Sequence, residues 1–90
     1  MTVLRPRQLH VDQHLALIAI ECVESYRHGS NNGYQFSASV EPIALVICGE
    51  ETVRALDMQG KAVDVDGLRQ RVPGLDEKID EYRRSQELSR

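Results

Sequence analysis

Two histidines spaced four residues apart are the part of this sequence whose pattern could support metal chemistry. On a helix, His10 and His14 would project from adjacent turns of one face, and Glu21 would follow two turns later on nearly the same line. Imidazole and carboxylate groups placed in this way can hold Zn²⁺. The metalloprotease form His-Glu-x-x-His is absent, because residues 10–14 read His-Val-Asp-Gln-His. A solvated polar helix face is therefore the favoured interpretation, and a metal site at these residues is the alternative.

The thiol of Cys48 is a second candidate for chemistry, because it ends an apolar run directly before Gly49. Nucleophiles often lie where a strand feeds a turn, but a reactive thiol needs a base or positive surroundings. The next residues are Glu50 and Glu51, whose charge disfavours a thiolate. Cys22, the other cysteine, also lies in an apolar run. The sequence predicts two reduced core thiols and a reducing compartment.

The segment Asp64-Val65-Asp66-Gly67 has part of the spacing of a calcium-binding loop. Such a loop needs an acidic residue or Asn two positions before Asp64 and a Glu six positions after Gly67. Those positions hold Ala62 and Pro73, so the motif fails. Asp66 as the N-cap of a short helix over residues 67–71 explains the aspartate better. No metal or other cofactor is expected from this segment or from any Gly-rich phosphate loop.

Nucleic-acid binding has little support, because the chain carries a formal net charge of −3 and no overall positive field. Tyr34 and Phe36 alternate on a predicted strand, as stacking aromatics do on some RNA-binding sheets. The strand supplies no Lys or Arg near them, so core packing is the better interpretation. The polar residues that alternate with these aromatics form a row on the other face of the strand; they are Gln35, Ser37 and Ser39. This row would either line a small-ligand site or be an ordinary solvent-exposed face of an antiparallel sheet.

The N-terminal quarter of the chain has the spacing of an amphipathic helix. Apolar residues recur at steps of three and four across residues 8–28, and Gly29 supplies a stop; they are Val11, Leu15, Ile18, Cys22 and Tyr26. A strand over residues 15–23 is the competing interpretation, since β-branched residues are frequent there. The spacing over more than ten residues favours the helix.

The middle of the chain reads as a run of strands. Residues 34–40 alternate between apolar and polar, and residues 43–48 are apolar throughout, as in a central strand. Residues 52–58 read as a returning strand, Gln59-Gly60 as a tight turn and residues 61–65 as a last short strand. Short connections favour antiparallel pairing, because parallel strands need long crossovers. The pattern predicts a four-stranded antiparallel meander.

The C-terminal segment reads as a second helix. It begins at about Leu75, after the Pro73-Gly74 break, and Leu75, Ile79 and Tyr82 form its narrow apolar stripe. The expected fold is α+β with the order α-β-β-β-β-α, and at least one helix packs on one sheet face. All 90 residues form one domain, with residues 1–7 as a flexible arm and residues 85–90 as a frayed tail.

The first helix predicted here carries more apolar surface than one small sheet should cover, and surplus apolar area usually marks a partner surface. The sequence therefore predicts a non-enzymatic interaction or regulatory module that self-associates as a homodimer, through this helix or a sheet edge. The candidate interface residues are Leu17, Ile18, Ile20 and Val23. A metal-dependent enzyme subunit using His10 and His14 is the alternative. No signal peptide or membrane span is evident, so a cytoplasmic location is expected.

Overall fold

The computed structural model describes residues 2–30 and 33–88, and it describes side chains for residues 2–25 and 38–87. Five strands come first and two helices follow. The strands are β1 (Thr2–Val11), β2 (Ala16–Ser30), β3 (Gly33–Cys48), β4 (Val53–Asp57) and β5 (Ala62–Val63), and the helices are α1 (Val65–Arg71) and α2 (Leu75–Leu88). The α+β class, the antiparallel sheet and the C-terminal helix are confirmed. The sheet has five strands rather than the four predicted.

The predicted helix over residues 8–28 is wrong, because this segment forms the end of β1, a turn and most of β2. In β2, Ile18 and Ile20 face the helices, while Leu17 and Ala19 point to the opposite side of the sheet. A strand that is apolar on both faces does not alternate between apolar and polar residues. Its apolar residues then also occur at the three- and four-residue steps that are typical of a helix. Pairing with β1 and β3 decides the conformation.

The sheet is an antiparallel meander in the order β1-β2-β3-β4-β5. The two strands predicted over residues 34–40 and 43–48 are one continuous strand with a bulge at the predicted break. Ile20 pairs with Ala44 and Glu21 pairs with Pro42, so Ile43 is an extra residue in β3. A bulge accommodates a proline, which cannot donate to the sheet ladder.

The second half of the chain follows the sequence pattern closely. Gly60 has a φ of 85° in the turn between β4 and β5, a conformation that glycine adopts without a steric cost. The N-cap of α1 is Asp64 and not Asp66: the Asp64 carboxylate accepts a hydrogen bond from the Gly67 N–H at 3.2 Å. The helix therefore begins two residues earlier than predicted, and Asp66 lies in its first turn, where the helix dipole favours an acidic side chain.

Both helices pack on one face of the sheet, and the core lies between these two layers. The predicted stripe of α2 is confirmed, since Leu75 and Ile79 are fully buried and Tyr82 is 5% exposed. From the sheet side the core receives a set of small and β-branched residues, namely Ala16, Ile18, Ile20, Ala44, Val46, Cys48 and Ala55. This two-layer arrangement leaves the other face of the sheet without a helix in the described part of the chain.

The chain ends are built into these elements as far as the structure describes them. Residues 2–7, expected to be an arm, pair with β2, and residues 85–88 belong to α2. Among the described residues, neither helix has the length and apolar character needed to cross a bilayer.

The hairpin of β2 and β3 extends well past the rest of the sheet. Pairing with β1 ends at Glu24, and pairing of β3 with β4 reaches only from Cys48 to Ala44. The outer part of the hairpin, residues 25–30 and 33–38, is therefore two-stranded, and we call it the arm. The radius of gyration is 16.2 Å, whereas a compact chain of this length would have about 12 Å. The arm accounts for this elongated shape.

Candidate interaction surface

The three residues predicted to share a metal lie in two separate places. His10 is near the end of β1 and His14 is in the following turn, where they contact Asp12 and Glu50 respectively. Glu21 lies in β2 and contacts Arg5 and Arg7. Within residues 2–25 and 38–87, no group of three His, Cys, Asp or Glu side chains is placed to hold a metal ion. The arrangement of the histidines therefore lends the metal interpretation no support.

Asp12 organises the turn between β1 and β2. One carboxylate oxygen accepts hydrogen bonds from the backbone N–H groups of His14 and Leu15, both at 2.8 Å. The other oxygen lies 2.8 Å from Nε2 of His10. The hydrogen bond with His10 and those with the backbone stabilise the charged form and lower the pKa of Asp12 to about 2. This turn is a structural motif built around a carboxylate.

We expect the Asp12 carboxylate to stay ionised until the pH falls to about 2. An unfolded aspartate titrates near 3.9. The stabilisation from the lowered pKa is thus present above about pH 4 and is lost as the pH falls through about 2. NMR titration of the side-chain carboxyl carbon measures this directly. A midpoint near 4 for Asp12 would contradict the geometry.

The structure places Cys48 in the core and not at a reactive position. Its side chain is 1% exposed, and burial raises the pKa of the thiol, which disfavours the nucleophilic thiolate. Cys22, the second cysteine, is also a free thiol and is half-buried. Tyr34, Phe36, Gln35 and Ser37 lie outside the described side chains, so the stacking and ligand-row predictions are not tested there.

The sheet face opposite the helices is mainly apolar, and we call it the open face. β1, β2, β3 and β4 all contribute alternate residues to it. Its aliphatic members include Val3, Leu17, Ala19, Val23, Val40, Leu45, Ile47 and Leu56. Val3 and Val40 are 45% and 47% exposed. A contiguous uncovered patch of this kind typically marks a binding surface.

The four residues predicted to form an interface divide between the two faces of β2. Leu17 and Val23 lie on the open face, where they are half-buried. Ile18 and Ile20 are 2% and 0% exposed and belong to the core beneath the helices. Only Leu17 and Val23 are therefore available to a partner in the folded chain.

A buried carboxylate and two arginines form a polar group at the β1 border of the open face. Glu21 is only 6% exposed. Arg5 donates from Nε to Oε1 of Glu21 at 3.1 Å, and Nη1 of Arg7 lies 3.6 Å from Oε2. The arginine side chains are 52% and 65% exposed, so their other N–H groups face solvent. Both arginines fall within residues 1–7, which were predicted to be flexible, although a two-residue spacing is typical of one face of a strand.

The outer edge of β3 has no strand beside it over residues 33–43 in the described part of the chain. An unpaired edge presents a row of backbone N–H and C=O groups that can pair with another strand. The open face and this edge are features of the fold that are suited to a partner.

Comparison with known proteins does not add a further guide to function. The chain matches no protein-family model, and it has no match among curated proteins or solved structures.

Proposed function

We propose that this protein is a small, non-enzymatic interaction module that self-associates by pairing the free edges of β3 from two copies. The observation that carries the proposal is the unpaired stretch of β3 over residues 33–43, beyond the last residue that pairs with β4. Backbone groups in this edge gain hydrogen-bond partners when a second strand aligns with it.

The arm would gain stability by pairing with a further strand. A hairpin of two strands is marginally stable in water, and three or more strands are needed for independent stability. Residues 25–30 and 33–38 form such a two-stranded extension from the sheet. Pairing with the arm of a second copy makes a four-stranded sheet and stabilises both arms.

The composition of the edge favours pairing with an identical strand. Residues 33–40 contain no charged residue and no proline. Natural proteins protect free edges with charges, prolines and bulges, and in β3 these devices occur only at Glu41, Pro42 and the neighbouring Ile43 bulge. A second copy therefore brings no like charge against residues 33–40.

Two identical strands pair antiparallel about a two-fold axis. In the register that places this axis at Ala38, residues 36–40 of the two copies pair with one another, and the ladder ends before Glu41, Pro42 and the Ile43 bulge. An antiparallel ladder of this length forms about five backbone hydrogen bonds. The axis is perpendicular to the sheet, so the open faces of both copies lie on the same side.

Sedimentation velocity over a concentration series tests the proposal. We expect a species of twice the 10.2 kDa chain mass to increase with concentration up to the high micromolar range. A single 10.2 kDa species throughout that range would overturn the proposal.

The variant Ala38→Lys tests which surface pairs. Ala38 is exposed, so the chain should fold with a lysine there. In the dimer two lysines would lie opposite each other and repel. We therefore expect the dissociation constant of the dimer to increase at least about tenfold. Ala62→Lys is the matched control, because Ala62 is an exposed alanine in β5. Mixing Ala38→Lys with Ala38→Glu should restore pairing. Unchanged dimerisation of Ala38→Lys alone would exclude this edge.

A cytoplasmic location belongs to the same proposal. Its support is that Cys22 and Cys48 are both free thiols, as is usual in reducing compartments. Disulfide-free protein isolated from its native source under thiol-blocking conditions would agree with this location.

A further inference from the structure

We infer that the open face binds an amphipathic helix of another protein, with an aliphatic stripe flanked by carboxylates. This surface is separate from the β3 edge and does not depend on dimerisation. The first support is its chemistry, since the strands present a broad apolar surface with charged residues at its borders.

The charged residues on the open face determine the sign of the charge that a partner helix should carry. The chain as a whole carries a formal net charge of −3. Among the described residues, however, the charged members of this face are Arg5, Arg7, Arg54 and Glu21. Positive charge is therefore concentrated on the one face that no helix of the described chain covers. Stacking two copies face to face would bring these arginines together, which disfavours a second copy as the occupant.

Glu21 acts as a positioning residue for the arginine donors. It engages Nε of Arg5 at 3.1 Å and lies 3.6 Å from Nη1 of Arg7. The remaining guanidinium N–H groups are left for an incoming carboxylate, and Arg guanidinium is well matched to carboxylate geometry. Because Glu21 lies between Ala19 and Val23 on the open face of β2, both arginines are held beside the aliphatic surface.

The opposite border of the face has an apolar groove with a third arginine. The groove has a volume of about 480 Å³, and its lining includes Ile47, Arg54 and Leu56. Ile47 pairs with Arg54 across β3 and β4, so both belong to the open face. A helix lying across the strands would place an aliphatic side chain in this groove and a carboxylate beside Arg54.

A helix is the occupant that fits the layer structure. The other face of this sheet is already covered by helices, so the alternating aliphatic surface of these strands is one on which a helix packs. The uncovered face has the same alternating aliphatic surface as the covered one. The partner helix supplies the missing third layer.

A display library of 18-residue amphipathic helices tests the inference. The aliphatic stripe is constant, and the flanking positions are randomised among Glu, Lys, Gln and Ser. Selection on the wild-type protein at low ionic strength should enrich Glu at the flanks. Enrichment of Lys, no preference or no enrichment would overturn the inference.

Binding of the enriched peptide, labelled with a fluorophore, is then measured by anisotropy. We expect Arg7→Gln to weaken binding about tenfold, the effect of one lost charge-assisted contact, and Leu45→Gln to weaken it by at least as much. The control Arg84→Gln changes an exposed arginine on α2 and should have no effect. Equal binding by all these variants would place the peptide elsewhere and overturn the inference.

Measuring peptide binding to wild type both below and above the protein concentration at which it dimerises separates this inference from the proposed dimer. If the affinity is the same in both ranges, the open face works independently of the β3 edge. A chain that binds the peptide but never dimerises contradicts the proposed function alone. A chain that dimerises but shows no preference for acidic peptides contradicts this inference alone.

Discussion

Replacing Ile79 by alanine is expected to lower the free energy of unfolding by about 3 kcal/mol, the usual cost for a fully buried aliphatic side chain. Ile79 is 0% exposed and lies in the cluster that joins α2 to the sheet. The substitution removes three carbon atoms from the interface between the two layers and leaves a cavity there. For a domain of this size such a loss is a large part of the total stability.

Urea denaturation followed by circular dichroism measures this effect. Protein concentration must be the same for all variants, because self-association makes apparent stability concentration-dependent. Glu77→Ala is the matched control, since Glu77 is an exposed residue of the same helix. We expect the control to remain within about 0.5 kcal/mol of wild type. A loss below about 1 kcal/mol for Ile79→Ala would mean that α2 does not pack on the sheet as described.

The double variant Arg5→Gln/Arg7→Gln is expected to lose about 2 kcal/mol of stability. It removes both cationic partners of Glu21, which is 6% exposed, and leaves a carboxylate that water reaches poorly. Breaking a buried ion pair from one side costs about 3–5 kcal/mol. The arginines here are more than half exposed, so we reduce that figure for solvent screening.

The reverse substitution Glu21→Gln should cost less, about 1 kcal/mol, because the arginines it leaves are exposed to water and the amide oxygen still accepts a hydrogen bond. Both variants are measured by urea denaturation at neutral pH. A double substitution of the exposed helix arginines, Arg71→Gln/Arg84→Gln, controls for the change in net charge. If Glu21→Gln were the more destabilising variant, the buried carboxylate would not be the sensitive partner.

Together, the β3 edge and the open face suggest how one small chain can serve as a platform. A two-fold axis perpendicular to the sheet would join two sheets edge to edge and keep both open faces on one side. Each copy would then offer its arginines and aliphatic residues to a separate acidic helix. Binding through two such sites would strengthen attachment to a partner that carries two helices.

The sequence by itself determined the second half of the fold. The Pro73-Gly74 break and the spacing of Leu75, Ile79 and Tyr82 predicted α2 and its buried stripe, which the structure confirms. The glycine turn before β5 was also correctly predicted. These signals are local, because a turn residue or a narrow stripe specifies its own conformation. The cap of α1 was wrong by two residues, since Asp64 and Asp66 are both good capping residues and only the backbone geometry chooses between them.

The conformation of the first half of the chain was determined only by the tertiary structure, and so was the position of the candidate surface. Residues 15–23 are apolar on both faces of β2, so their periodicity fits a helix as well as a strand. The surplus of apolar residues was visible in the sequence, but its division between core and open face depends on strands that pair across distances of up to thirty-two residues. Glu21 joins Arg5 and Arg7 only through that pairing. Local sequence patterns do not specify which distant segment lies opposite, and this is why the candidate surface emerged only from the folded sheet.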